Sequence, residues 1–329
     1  MKSKTFFIYS MMITALALSA LMSLSLGSAD LSIGAIINGI TGKAGFEYEK
    51  AIMLYIRIPR LLAAITAGFG LSLSGVIIQS VMGNDLASPN TIGVSSGAGL
   101  MTVIFLSLCP ALSHLLPIAA FAGAFASSLL IMLISRATGG GKATLILAGI
   151  ALTSLFGAGI SFVSSLDTDV LASYSAFSIG GFSGVTVRKL ITPVVLIFAC
   201  LLVSVSISGR ISALSLGDEA ALGLGIKPGA LRALSLALAA MSAAAVVSFA
   251  GLLGFVGLIV PHMARKIVGQ SLIKQLTLAP LLGATLVTLS DLLGRVIFAP
   301  SEISVGIIMA FIGAPFFFIL LMKRRGHNA

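Results

Sequence analysis

The stretch RIPRLLAAITAGFGLSLSGVIIQSVMGNDLASPNTIGVSSGAG, Arg57 to Gly99, decides the fold. Two arginines three apart bracket Pro59, and an apolar run dotted with glycine and serine follows from Leu61 to Met82. A soluble helix of that length would carry one polar face. Here, Gln79 apart, the polar groups are small hydroxyls, and small residues are what let helix backbones approach where lipid gives no hydrophobic drive for association. The stretch therefore predicts a membrane-embedded helix with a charged lip, a polar inner turn at Gly83-Asn84-Asp85, and a second apolar helix after Ser88-Pro89.

The rest of the chain has the same character. Of its 329 residues 58% are hydrophobic and 9% charged, and the mean hydropathy is +1.14. Soluble domains carry about 25% charged residues. Only helices and closed barrels satisfy every backbone polar group in lipid, and long unbroken apolar runs select helices. At roughly 20 residues per span there is room for about ten. They read as 6–26, 61–82, 91–109, 115–135, 144–166, 189–208, 230–250, 255–269, 276–297 and 305–322. The first is too long for a typical signal-peptide core and is expected to stay as a helix. Residues 170–182, too short to cross, are expected as a re-entrant half-helix, since irregular backbone at depth needs protein or a water cavity around it. The expectation is an all-α integral membrane protein, one transmembrane unit over 1–329, with an inward loop at 210–228.

The net charge of +10 does not point to nucleic acid. Most of the 20 lysines and arginines fall on one side if both termini are cytoplasmic, as the positive-inside bias requires. Arg57, Arg60 and Arg295 lie on the other side, with the acids Asp30, Glu47, Asp291 and Glu302. Outward arginines ask for a reason, and an acidic extracellular partner would supply one through the planar guanidinium fork. In the inward loop, Asp218 and Glu219 suit a helix N-terminus and Gly223 and Gly225 its end, which predicts a short docking helix for a cytoplasmic partner. Gly251, Gly254 and Gly257 predict a sharp corner or close helix packing.

No catalytic set emerges. Cys109 and Cys200 lie in or beside apolar runs, and His262 has no ligand at metal spacing, so it reads as structural. Gly139-Gly140-Gly141-Lys142 is followed by Ala143, and Arg136 stands where a P-loop needs its first glycine. Any ATP hydrolysis belongs to another chain. An ion-coupled transporter would place ionisable groups near mid-membrane, and no carboxylate or lysine is expected deep in a span here.

The ordered segments RIPRLLAAITAG, LSLSGVIIQ, NDLASPNTIGVSSGA, LGDEAALGLGI, GFVGLIVPHMAR, DLLGR and GAPFF cover nearly the whole chain. Together they resemble the permease family of ABC importers for iron-siderophores, haem and cobalamin. The resemblance implies a type II importer permease of ten helices. It would pair with a second copy or a paralogue, with two ATP-binding cassette subunits that hold ATP-Mg, and with an extracytoplasmic substrate-binding protein, in a prokaryotic cytoplasmic membrane. It puts Arg57, Arg60 and Arg295 at the binding-protein dock. Leu216, Gly217, Asp218, Glu219, Ala220, Leu224 and Gly225 would couple to the ATPase, and Asn84, Leu86, Lys142 and Thr144 would form the cytoplasmic gate. A ferric siderophore is the favoured cargo, with haem or cobalamin behind it. The chain itself would bind no cofactor, metal or nucleic acid. It departs from the family at Asp85 and Ser304, where proline is usual, and in having no tryptophan.

Overall fold

The computed structural model describes residues 2–27, 34, 45–138 and 141–325. Most of the polar connection 30–50, including Asp30 and Lys43, lies outside them, as do Gly139, Gly140 and the side chains of Lys142 and of the basic tail. All regular structure among the described residues is helical.

Fourteen helices follow in order among those residues: α1 (Lys2–Ser25), α2 (Glu47–Ile52), α3 (Ile58–Met82), α4 (Val94–Leu108), α5 (Leu116–Ala137), α6 (Lys142–Leu166), α7 (Thr168–Ile179), α8 (Val187–Ser206), α9 (Ser208–Leu214), α10 (Asp218–Gly223), α11 (Pro228–Ala250), α12 (Val256–Val268), α13 (Leu272–Val296) and α14 (Val305–Arg325). Ten of them stand where spans were expected. Seven helical segments are long and apolar enough to cross a membrane, while the apolar helices Val94–Leu108 and Val305–Leu320 are shorter and α12 has 13 residues. The start of α4 is later than expected because Pro89–Ile92 form a 3-10 turn, closed by a reciprocal Ser88–Thr91 capping box.

The centre of the bundle is α3, which α2 enters through a π turn at Met53–Arg57. In an apolar 18-residue stretch of Glu47–Met82, 83% of the residues are buried, against 11% in the corresponding stretches of α1 and α6, which show their apolar side chains outward. The small residues foreseen in the sequence decide which neighbours approach α3. A Cβ at Gly68 would overlap the Gly283 carbonyl of α13, and one at Gly75 would overlap the Gly257 carbonyl of α12. On another face the Ser74 hydroxyl donates to Ala239 O at 2.7 Å, and the Ser242 hydroxyl donates to Gly70 O at 2.9 Å, so α3 and α11 are bonded reciprocally. Backbone-level contact with dispersed hydrogen bonds replaces the missing hydrophobic drive.

The half-helix is α7. Asp167 caps it by accepting from Asp169 N at 2.8 Å and Val170 N at 3.3 Å. With 12 residues it extends about 18 Å, short of a roughly 30 Å hydrocarbon core. Its end meets the corner between α11 and α12. Gly181 N donates to Ala250 O at 2.8 Å and Leu252 N to Phe177 O at 3.1 Å, so two irregular segments satisfy each other's backbone. Of the three corner glycines, Gly251 takes a positive φ of 68° at the break and Gly257 packs closely, while nothing stands close to Gly254. Phe255 holds φ 65°, an uncommon conformation for a bulky residue, and its ring lies where a Cβ on Gly313 would be.

Candidate functional site

Three groups of charged and polar residues stand out, one at the end expected to be outer and two at the end expected to be inner. At the outer end the structure brings Arg57, Arg60 and Arg295 together, buried rather than offered to solvent. Arg60 Nε donates to Asp291 Oδ1 at 3.0 Å and Oδ2 at 3.1 Å, and its Nη1 donates to Glu302 Oε2 at 2.6 Å. Arg295 lies one helical turn from Asp291, with Nε 3.1 Å from Oδ2. Its Nη2 donates to the Ser23 hydroxyl at 2.7 Å and Ser23 O at 3.2 Å, and Nη1 to Leu26 O at 3.2 Å. Arg57 Nη1 donates to Leu24 O at 2.6 Å and Ser25 O at 3.0 Å. The last carbonyls of a helix lack intrahelical donors and favour cations. Two of the three arginines therefore cap α1 and tie its end to α3 and α13.

This corrects the sequence reading of the acids. Asp291 was expected on the outer side, and no carboxylate was expected deep in a span. It is buried in the last turns of α13, between two guanidiniums. Arg60 and Arg295 thus have counter-charges within the chain. Those partners lie 231 and 242 residues from Arg60. Only the four-residue spacing of Asp291 and Arg295 could have signalled part of this.

At the inner end, Asn84 and Leu86 form a closed turn: Asn84 Oδ1 accepts from Leu86 N at 3.0 Å, and Asn84 O accepts from Ala87 N at 3.1 Å. Asp85, standing where the resembling family has proline, is ion-paired with Arg265 of α12. The turn is tethered by charge where a proline would have stiffened it. A polar cavity of about 370 Å³ opens beside it, lined in part by Gln79, Asp85, Arg265, Gln275 and, from the inward loop, Ser212 and Ser215. The structure thus sets the expected gate turn against the expected coupling loop. Thr144 is half-buried in the first turn of α6, and among the described residues no side-chain hydrogen bond joins it to Asn84 or Leu86.

The segment expected to couple contains α10. Asp218 accepts from Arg232 Nη2 at 2.8 Å, which pins the helix start to α11. Gly217 precedes it with φ 105°, a value an L side chain seldom adopts. At its end Gly225 N donates to Leu222 O at 2.9 Å and Ile226 N to Ala221 O at 3.0 Å. With Gly225 at φ 74° this pair is a Schellman motif. Ala221 is buried against the body. Leu216, Leu222 and Leu224 are exposed, and Glu219 and Ala220 are exposed beside them. His262 packs edge-on against Phe316, with ring centroids 6.0 Å apart.

A model of the FecCD transport family matches residues 15–323. The chain is 36% identical over 320 residues to the hemin transport system permease protein HmuU of Yersinia pestis, covering 94% of this chain and 93% of that one. It is 34% identical over 308 residues to the Fe(3+)-citrate import system permease protein YfmE of Bacillus subtilis, covering 92% and 90%. Among solved structures, a metal-chelate type ABC transporter in an inward-facing conformation superposes with a TM-score of 0.83 at 30% identity, over 96% of this chain and 99% of the other.

Proposed function

The chain belongs to the FecCD transport family, and from that premise we propose that it is the membrane-spanning permease subunit of an ATP-driven importer of an iron chelate. Two such subunits, identical or paralogous, would enclose the path in a prokaryotic cytoplasmic membrane, with both termini inside. ATP-Mg would be held by two separate cassette subunits. A loaded binding protein would dock at the outer end around Arg57, Arg60 and Arg295, and the turn at Asn84 and Leu86, with Lys142 and Thr144, would gate the inner end.

The observation that carries this reading is the form of the inward loop. A six-residue helix is held by its Schellman end and the Asp218–Arg232 pair, yet Leu222 on it and Leu216 and Leu224 at its flanks stand exposed. A short, preformed helix with exposed apolar anchors suits a groove on a partner, and such anchors carry most of an interface's binding energy. The polar cavity beside the gate turn is lined from the inward loop by Ser212 and Ser215, just before that helix.

For cargo, a ferric siderophore is favoured. The half-helix segment 171–182 has no arginine or histidine to meet a haem propionate or iron. Haem is the second reading, supported by the identity to the hemin permease. The test is uptake of radiolabelled ferric chelate into vesicles carrying the chain with its cassette and binding-protein partners. Uptake is expected to require all three components and ATP. Uptake by the purified chain alone would overturn the proposal.

A further inference from the structure

We infer that Glu302 is an exchangeable counter-ion, which in the undocked chain holds the place that a partner's carboxylate takes at Arg60. This rests on the docking reading above. The fork of Arg60 is divided between two acids in unlike situations. Asp291 has a side chain 1% exposed, whereas that of Glu302 is 31% exposed. An acid arriving from outside can therefore replace Glu302 and cannot reach the place of Asp291.

Such an exchange keeps Arg60 paired throughout. Stripping a buried guanidinium of all carboxylates is the costly event, while a partly exposed pair contributes little and is easily traded. The incoming group must be an oxyanion, and on a protein partner that is a carboxylate, which the freed Nη1 edge accommodates. An acidic side chain of the binding protein is thus the occupant that the chemistry selects.

The exchange also has somewhere to go. Ile303 N donates to Gly294 O at 2.8 Å, and α14 begins at Val305. Gly306 lies so close to the Ile179 carbonyl, at the tip of the half-helix, that a Cβ would overlap it. A short strap, anchored at Ile303, thus joins Glu302 to the half-helix.

The test measures binding of the importer's own unloaded binding protein to the assembled importer in nanodiscs. Glu302→Gln removes the competing charge at a partly exposed site while keeping the side-chain shape. Arg60→Lys keeps a charge for Asp291 but loses the second arm of the fork. The inference predicts binding about two- to fivefold tighter in Glu302→Gln and weaker in Arg60→Lys. Glu302→Gln with unchanged or weaker binding, while Arg60→Lys is weakened, overturns the exchange and leaves the docking role standing. If Arg60→Lys binds as the wild type does, docking at Arg60 and the exchange fall together.

Discussion

The two ends of this molecule handle charge in opposite ways. At the end expected to be outer, three arginines and Asp291 are folded inward with Glu302 partly exposed beside them, and each guanidinium ends on a carboxylate or on the last carbonyls of α1. At the inner end the ion pairs Asp218–Arg232 and Asp85–Arg265 are partly solvated, and leucines stand exposed around α10. The contrast teaches that the outer charges hold the bundle together before they serve any partner. The inner surface spends its ion pairs on fixing a short helix and a turn in place, and leaves the apolar side chains for something else to cover.

The largest test of that contrast is Asp291→Ala. It leaves Arg60 and Arg295 without their buried carboxylate and is expected to cost about 3–5 kcal/mol. A thiol-reactive dye can follow the unfolding, because Cys200 is buried and reports its own exposure; a Cys109→Ser background makes it specific. An unfolding midpoint equal to that of the parent would break the claim that the outer cluster is structural. Gly68→Val probes the crossing that fixes α3 on α13. Its side chain meets the Gly283 carbonyl, so a loss of about 1–3 kcal/mol is expected in the same assay.

Leu222→Glu with Leu224→Glu should move stability by no more than about 0.5 kcal/mol, since both side chains are exposed. Co-purification of the cassette subunit should nonetheless be lost, with each anchor contributing at least about 1 kcal/mol to that interface. A cassette subunit that stays bound would place the contact elsewhere. Smallest is Asp85→Asn, which removes a partly exposed pair and is expected to cost about 0.2–1 kcal/mol. Its sharper readout is leak of chelate through the assembled importer without ATP. A sealed importer would show that the turn closes without its charge tether.

Much of this was legible in the chain. The small residues of α3, the half-helix at 168–179, the corner at Gly251 and the short helix ending at Gly225 each have a local signature: a spacing, a cap or a positive φ. The partners of Arg60 had none, because Asp291 and Glu302 are distant in sequence and meet it only when α13 and the start of α14 pack on α3. Asp85 gave a misleading signal. Read as a lost proline it suggests a looser turn, and only the approach of α12 shows that Arg265 takes it up.

The sequence by itself determined the solvent this protein lives in and the helices it forms there, because hydropathy and caps act over a few residues at a time. It also determined the family, through motifs kept in order along the chain. Only the tertiary structure decided whether a charge faces a partner or is satisfied within the chain. That outcome depends on which helices touch, and in lipid, where apolar contact is available everywhere, close backbone approach at Gly68, Gly75 and Gly283 selects the neighbours.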